Sequence, residues 1–82
     1  MTEEKIIERV QTGVRIEKRI LKVLKSLAEM LDLSLSDLIE GIALHAFENK
    51  KPFSAKTVQH IQKLRDIYGL DLVADDSHKL KE

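Results

Sequence analysis

Basic side chains are concentrated in one short part of this 82-residue sequence. Residues 9–26 contain a single acidic residue, Glu17, and six basic ones: Arg9, Arg15, Lys18, Arg19, Lys22 and Lys25. Residues 27–49 contain five acidic residues and neither lysine nor arginine. Although the formal net charge is zero, such a basic segment points to an anionic partner. The alternative is that the basic and acidic segments neutralise each other across an interface.

Side chains that could catalyse a reaction or bind a metal ion are sparse. The sequence has no cysteine, and its three histidines, His45, His60 and His78, are too dispersed to predict a ligand set. No nucleophile has a suitably placed base, and no glycine-rich loop for phosphate is present. We therefore expect a protein that is not an enzyme and that uses neither a metal ion nor a cofactor.

Residues 10–16 are the element expected to position the first of the basic side chains. Apolar and polar residues alternate there in the order Val-Gln-Thr-Gly-Val-Arg-Ile. This alternation predicts a half-buried β-strand, because successive side chains of a strand point to opposite faces. The remaining sequence predicts helices, so the strand lacks a partner within its own chain. We expect a second copy of the strand to pair with it in an obligate homodimer.

Three helices are predicted after the strand. The first spans about residues 17–31, where apolar residues recur at steps of three and four. The second begins at Ser34, which forms a capping box with Asp37, and ends at Asn49. The third spans residues 54–68 and is followed by Gly69 as its stop.

The second helix is predicted to bury one apolar face. Its apolar face, predicted to be buried, consists of Leu38, Ile39, Ile42, Ala43, Ala46 and Phe47. Gly41 lies in the middle of this helix, where glycine costs about 1 kcal/mol relative to alanine. We expect another backbone to approach the helix closely at Gly41.

The sequence is short enough for one small domain, with a core of marginal size. We divide it into an N-terminal arm (1–9), a strand-helix-helix domain (10–49), a C-terminal helical extension (50–73) and a disordered tail (74–82). No apolar run has the length of a membrane span, and the N-terminus does not have the pattern of a signal peptide. We expect a cytoplasmic protein that does not contact membranes.

The order of strand, helix, tight turn and capped helix resembles that of a known family. The first helix ends in Leu-Asp-Leu-Ser at residues 31–34, and the second begins Ser-Leu-Ser-Asp-Leu-Ile at residues 34–39. In these motifs, over about residues 10–49, the sequence resembles the ribbon-helix-helix family of MetJ/Arc/CopG-like repressors. The resemblance implies a mostly α fold, namely a dimer with a two-stranded intermolecular antiparallel β-ribbon and an additional C-terminal helix.

The resemblance also implies that double-stranded DNA is the partner, with the ribbon in its major groove. Position by position, the family's base-contacting residues correspond to Gln11, Gly13 and Arg15. The family's phosphate contacts correspond to the N-terminus of the second helix and to the residues just after the strand: Ser34, Leu35, Ser36, Lys18 and Arg19. The sequence departs from the family at Gly13, which has no side chain to contact a base, and at Asp32, where the inter-helix turn commonly has glycine.

The leading hypothesis is a DNA-binding transcriptional regulator, a repressor that acts as a dimer. An alternative is an antitoxin-like or other protein-interaction module, with a protein partner on the third helix, Phe53–Tyr68, and weak or no specific DNA binding. A third hypothesis is a dimer of the same fold that has lost DNA binding and serves only in assembly. Whether the third helix is a free arm or packs on the other two helices distinguishes the second hypothesis from the first.

Overall fold

The computed structural model describes residues 4–81 and contains three α-helices. They are α1 (Lys18–Met30), α2 (Leu35–Phe47) and α3 (Ala55–Tyr68), and a 3-10 turn follows at Ala74–Asp76. The prediction of a mostly α chain with these three helices is confirmed. Residues 1–3 of the predicted arm and residue 82 of the predicted tail lie outside the described residues.

The predicted strand at residues 10–16 is wrong. Residues 4–17 have no regular secondary structure, and no β-strand occurs anywhere between residues 4 and 81. The predicted ribbon-helix-helix fold with its β-ribbon is therefore wrong as well. The physical reason is that a strand is completed by hydrogen bonds to a neighbouring strand, and alternation of side chains does not supply that neighbour. Val10 and Val14, on the predicted buried face, are exposed.

Local capping chemistry explains where the helices begin. The Glu17 carboxylate accepts hydrogen bonds from the amides of Arg19 and Ile20, at 2.9 and 3.0 Å, and so caps α1. Ser34 Oγ accepts from the Asp37 amide at 3.0 Å and caps α2, while Ser54 caps α3 in the same way. These side chains satisfy amides that would otherwise lack acceptors at a helix start.

Left-handed residues mark the ends of the helical segments. Asp32 and Asn49 have φ values of 58° and 57°, and Gly69 ends α3 with a φ of 64°. Aspartate and asparagine tolerate this conformation better than other non-glycine residues. Asp32 thus allows the α1–α2 turn to form without a glycine.

The core is small and is built around α1. Its fully packed residues are Leu27, Ala28 and Leu38, against which five half-buried side chains pack: Leu24, Ile42, Phe53, Ile61 and Leu64. Helix α3 lies against α1, and a 2.9 Å hydrogen bond joins Tyr68 Oη to Ser26 Oγ. The third helix is therefore part of the folded body and not a free arm.

No helix in residues 4–81 combines the length and the hydropathy that crossing a membrane requires.

Candidate functional site

Three lysines form a stripe along the exposed side of α1. Lys18, Lys22 and Lys25 follow one another at steps of four and three, so they lie on one face of the helix. All three are exposed, and neither Lys18 nor Lys25 makes an ion pair within residues 4–81. Lys22 Nζ lies 5.7 Å from the centre of the Tyr68 ring, a cation–π contact. We call these three residues the lysine stripe.

Arg9, in contrast, is neutralised by α2. Its Nε and Nη2 atoms donate to the two carboxylate oxygens of Glu40 at 2.9 and 2.8 Å, and Asp37 lies 3.7 Å from Nη2. The hydrogen bond from Arg9 holds the pKa of Glu40 below its ordinary value, and the pKa of Arg9 is raised for the same reason. The basic and acidic segments do neutralise each other at this point, whereas no ion pair joins the lysine stripe to α2 within residues 4–81.

Arg19, a predicted phosphate contact, is engaged at the start of α1. Its Nε donates to Glu17 at 3.0 Å, and its Nη1 donates to the Gly69 carbonyl and to Asp71 Oδ1, both at 3.0 Å. Burial would raise the pKa of Glu17, but hydrogen bonds from the Ile20 and Arg19 amides and from the Arg19 guanidinium outweigh it, so the pKa is lowered. Arg19 therefore joins the start of α1 to the end of α3.

The three residues predicted to contact bases lie together in the irregular segment before α1. Gln11, Gly13 and Arg15 are all exposed, and a Cβ atom on Gly13 would meet nothing within 4 Å. Arg15 lines a cleft of about 400 Å³ with Leu80 and Lys81. Because no strand is present here to direct alternate side chains to one side, their role in contacting bases stays a prediction.

The other predicted phosphate contacts lie at the opposite end of α1 from Lys18 and Arg19. Ser34 caps α2, Leu35 is half-buried and Ser36 is exposed. Helix α1 has 13 residues and separates this helix start from Lys18. A helix of that length spans about 20 Å, so one chain does not bring the two predicted groups together.

An apolar face of α2 is left largely uncovered by residues 4–81, although the sequence predicts it to be buried. Of the face predicted to be buried, only Leu38 is buried. Ile39, Ala43, Ala46 and Phe47 lie on one side of the helix, and Phe47 is 82% exposed. We call these four residues the α2 face. The signal that could have identified it was the wide apolar surface of α2, which exceeds what one neighbouring helix covers.

The chain also exposes more surface than a compact protein of its mass. Its accessible surface is 7564 Å² for 9.4 kDa. A folded monomer of this mass exposes about 5,000 Å². The radius of gyration, 14.3 Å, likewise exceeds the value of about 12 Å for a compact chain of this length. The difference in area is larger than the roughly 800 Å² that each partner buries in a standard protein interface.

Comparisons with protein families, curated proteins and solved structures gave no match. The predicted membership of the ribbon-helix-helix family is therefore wrong on two counts, since residues 4–81 lack the ribbon and no family matches the sequence. Within the same residues, no three His, Cys, Asp or Glu side chains are placed to hold a metal ion.

Proposed function

We propose that this chain is a homodimeric DNA-binding protein that regulates transcription in the cytoplasm, and that it holds the DNA backbone with the lysine stripe. The observation that carries the proposal is the contrast between cations of the same segment. Arg9 and Arg19 are paired with carboxylates of the chain, whereas Lys18 and Lys25 are exposed without an ion pair in the described part of the chain. Exposed lysines of this kind bind phosphates by releasing the counterions that DNA carries.

The dimensions of the lysine stripe suit a phosphate backbone. Lys25 follows Lys18 by seven positions, and at 1.5 Å per helical residue the stripe is about 10 Å long. Each strand of duplex DNA has one phosphate per about 3.4 Å of the helix axis, so a stripe that lies parallel to this axis spans about three phosphates. The contacts would be largely independent of base sequence, because phosphates carry no sequence information of their own.

The α2 face supplies the dimer in this proposal. Burying Phe47 and Ile39 against a second copy would remove part of the surface excess described above. A dimer would present two lysine stripes, and two linked sites bind one DNA molecule more tightly than either site alone. Repression would follow from occupancy of DNA that the transcription machinery needs.

The test compares two double substitutions that change the charge equally. Lys18→Gln with Lys25→Gln removes two members of the lysine stripe. Lys56→Gln with Lys63→Gln removes two exposed lysines at the same spacing on α3. Fluorescence anisotropy of a labelled duplex at several salt concentrations gives the affinity and its salt dependence. We expect the α1 variant to reduce the slope of log K against log salt by about two, and the α3 variant to leave it unchanged.

Equal losses in the two variants would mean that binding follows total charge, and would contradict the proposed role of the lysine stripe. Absence of binding by the unmodified chain at low salt would contradict DNA binding altogether. A fragment from upstream of the protein's own gene, compared with unrelated DNA, tests the regulatory part. Equal affinity for both would leave a DNA-binding protein without the specificity of a regulator.

A further inference from the structure

The segment after α3, residues 70–81, lies against the beginning of α1. Two arginines anchor it. Arg19 Nη1 donates to Asp71 and to the carbonyl of Gly69, and Arg65 Nη2 donates to the Leu72 carbonyl at 2.8 Å. The 3-10 turn that follows is closed by a 2.8 Å hydrogen bond from the Val73 amide to Asp76.

Apolar contacts continue this arrangement toward the N-terminal segment. Leu70 and Leu72 are half-buried and, with Ile20, line a cavity of about 260 Å³. Farther along, Leu80 borders both this cavity and the cleft that Arg15 lines. The segment thus lies against Arg15, which precedes the lysine stripe, and against Arg19, which follows Lys18 in α1.

We propose that residues 70–81 are an intramolecular competitor of DNA, in which the Asp71 carboxylate occupies a guanidinium that a phosphate would otherwise bind. The inference rests on the proposed function, since the competition needs DNA at the lysine stripe. Lys18 and Arg19 are consecutive residues of α1, so their side chains leave the helix about 100° apart and this ion pair lies at the edge of the surface that holds the backbone. Displacement of Asp71 adds one more cation to the DNA-binding surface.

The contact between Arg19 and Asp71 has the properties of an exchangeable pair. The Asp71 side chain is 83% exposed, and exposed ion pairs are weak and screened by salt. A phosphate can accept two hydrogen bonds from a guanidinium, which makes it a stronger partner than a solvated carboxylate that accepts one. Glu17 is held differently, because it also caps α1 through two backbone amides. Glu17 therefore stays in place and orients Arg19 when Asp71 leaves.

The experiment uses two aspartates of the same segment. Asp71→Asn removes the carboxylate that Arg19 binds. Asp75→Asn is the matched control, since Asp75 is exposed and makes no ion pair within residues 4–81. Binding of a labelled DNA duplex to the full chain is measured for both variants at several salt concentrations. We expect Asp71→Asn to tighten binding by about two- to fivefold relative to Asp75→Asn, the range of a surface ion pair.

A third variant tests whether the gain passes through Arg19. In a background of Arg19→Gln, the substitution Asp71→Asn should no longer tighten binding, because the guanidinium that it releases is absent. Circular dichroism of each variant verifies that the helices are retained. A gain that persists without Arg19 would overturn the inference.

Two further outcomes separate this inference from the proposed function. If every variant binds DNA and the two aspartate variants are equal, the tail does not compete and only the inference fails. If neither the unmodified chain nor any variant binds DNA at low salt, the proposed function fails and the inference fails with it.

Discussion

The two sides of α2 have similar composition and opposite environments. Leu38 faces α1 and is 3% exposed, whereas Phe47, on the α2 face, is 82% exposed. Both belong to one helix of 13 residues with regular caps, so the helix itself does not explain the difference. What differs is the surroundings: Leu27, Ala28 and Phe53 cover Leu38, and nothing comparable within residues 4–81 covers Phe47.

An apolar helix surface does not by itself determine whether another part of the chain covers it. Burial against α1 and Phe53 removes the Leu38 side chain from water and stabilises the folded chain. An exposed Phe47 contributes little to the stability of a monomer, and it makes association favourable when a second apolar surface is present. The inner side of α2 therefore holds the fold together, and the outer side is available for assembly.

The largest effect is expected from truncating the inner side. Leu38→Ala should lower the free energy of unfolding by about 2–5 kcal/mol, through lost burial and the cavity left behind. Urea denaturation followed by circular dichroism measures this change. Leu44→Ala is the control, since Leu44 is on the same helix and 63% exposed. Its effect should stay within about 0.5 kcal/mol, and equal effects of the two variants would remove the distinction between the two sides of α2.

The outer side is tested by a charge on the α2 face. Phe47→Glu should weaken the dimer at least about tenfold, because like charges of two copies would be buried in one interface without partners. Sedimentation equilibrium measures the dissociation constant. Ile67→Glu introduces the same charge at a side chain of α3 that is 71% exposed and lies outside the α2 face. Equal dissociation constants for Phe47→Glu and Ile67→Glu would place the dimer interface outside the α2 face. An unmodified chain that is monomeric would exclude the dimer.

Features of the fold that depend on neighbouring residues could be predicted from the sequence. Ser34 and Ser54 cap their helices because the amide that each side chain binds lies only three residues ahead. Asn49 and Gly69 adopt the left-handed conformation at a helix end for reasons equally local. The cap formed by Glu17 was missed, although a carboxylate beside a helix start is a favourable arrangement.

Features that depend on distant residues could not be predicted in the same way. Arg9 binds Glu40, 31 positions away, and Arg19 binds Asp71, 52 positions away. Charge counts identify the two segments and do not specify these partners, and the predicted phosphate role of Arg19 rests on the family resemblance alone. The predicted β-strand is wrong for a related reason. The alternation in residues 10–16 does not determine whether another strand is present to pair with it.

Gly41 lies on α2 outside both the buried side, with Leu38, and the α2 face. A Cβ atom there would meet nothing within 4 Å, so the predicted close approach of another backbone does not occur within the described chain. Gly41→Ala should stabilise the chain by about 0.5–1 kcal/mol, measured by urea denaturation, through the higher helix propensity of alanine. Gly69→Ala should destabilise it, since Gly69 has a φ of 64°. Destabilisation by Gly41→Ala would indicate that a second copy packs at this side of α2.

The smallest effect is expected at the edge of α2, where Arg9 holds Glu40. The hydrogen bond from Arg9 lowers the folded-state pKa of Glu40, so the contact stabilises the fold above the ordinary glutamate pKa of about 4.3. This contribution is lost as the pH falls through the lowered folded-state value. Thermal unfolding between about pH 6 and pH 3 should show a smaller loss of stability for Glu40→Gln than for the unmodified chain.

Glu29→Gln is the control, because it removes an exposed carboxylate of α1 that makes no ion pair in residues 4–81. Its pH profile should follow that of the unmodified chain. Identical pH profiles for the two variants would show that Arg9 does not stabilise α2, and only the inner side of the helix would then be tied to the rest of the chain.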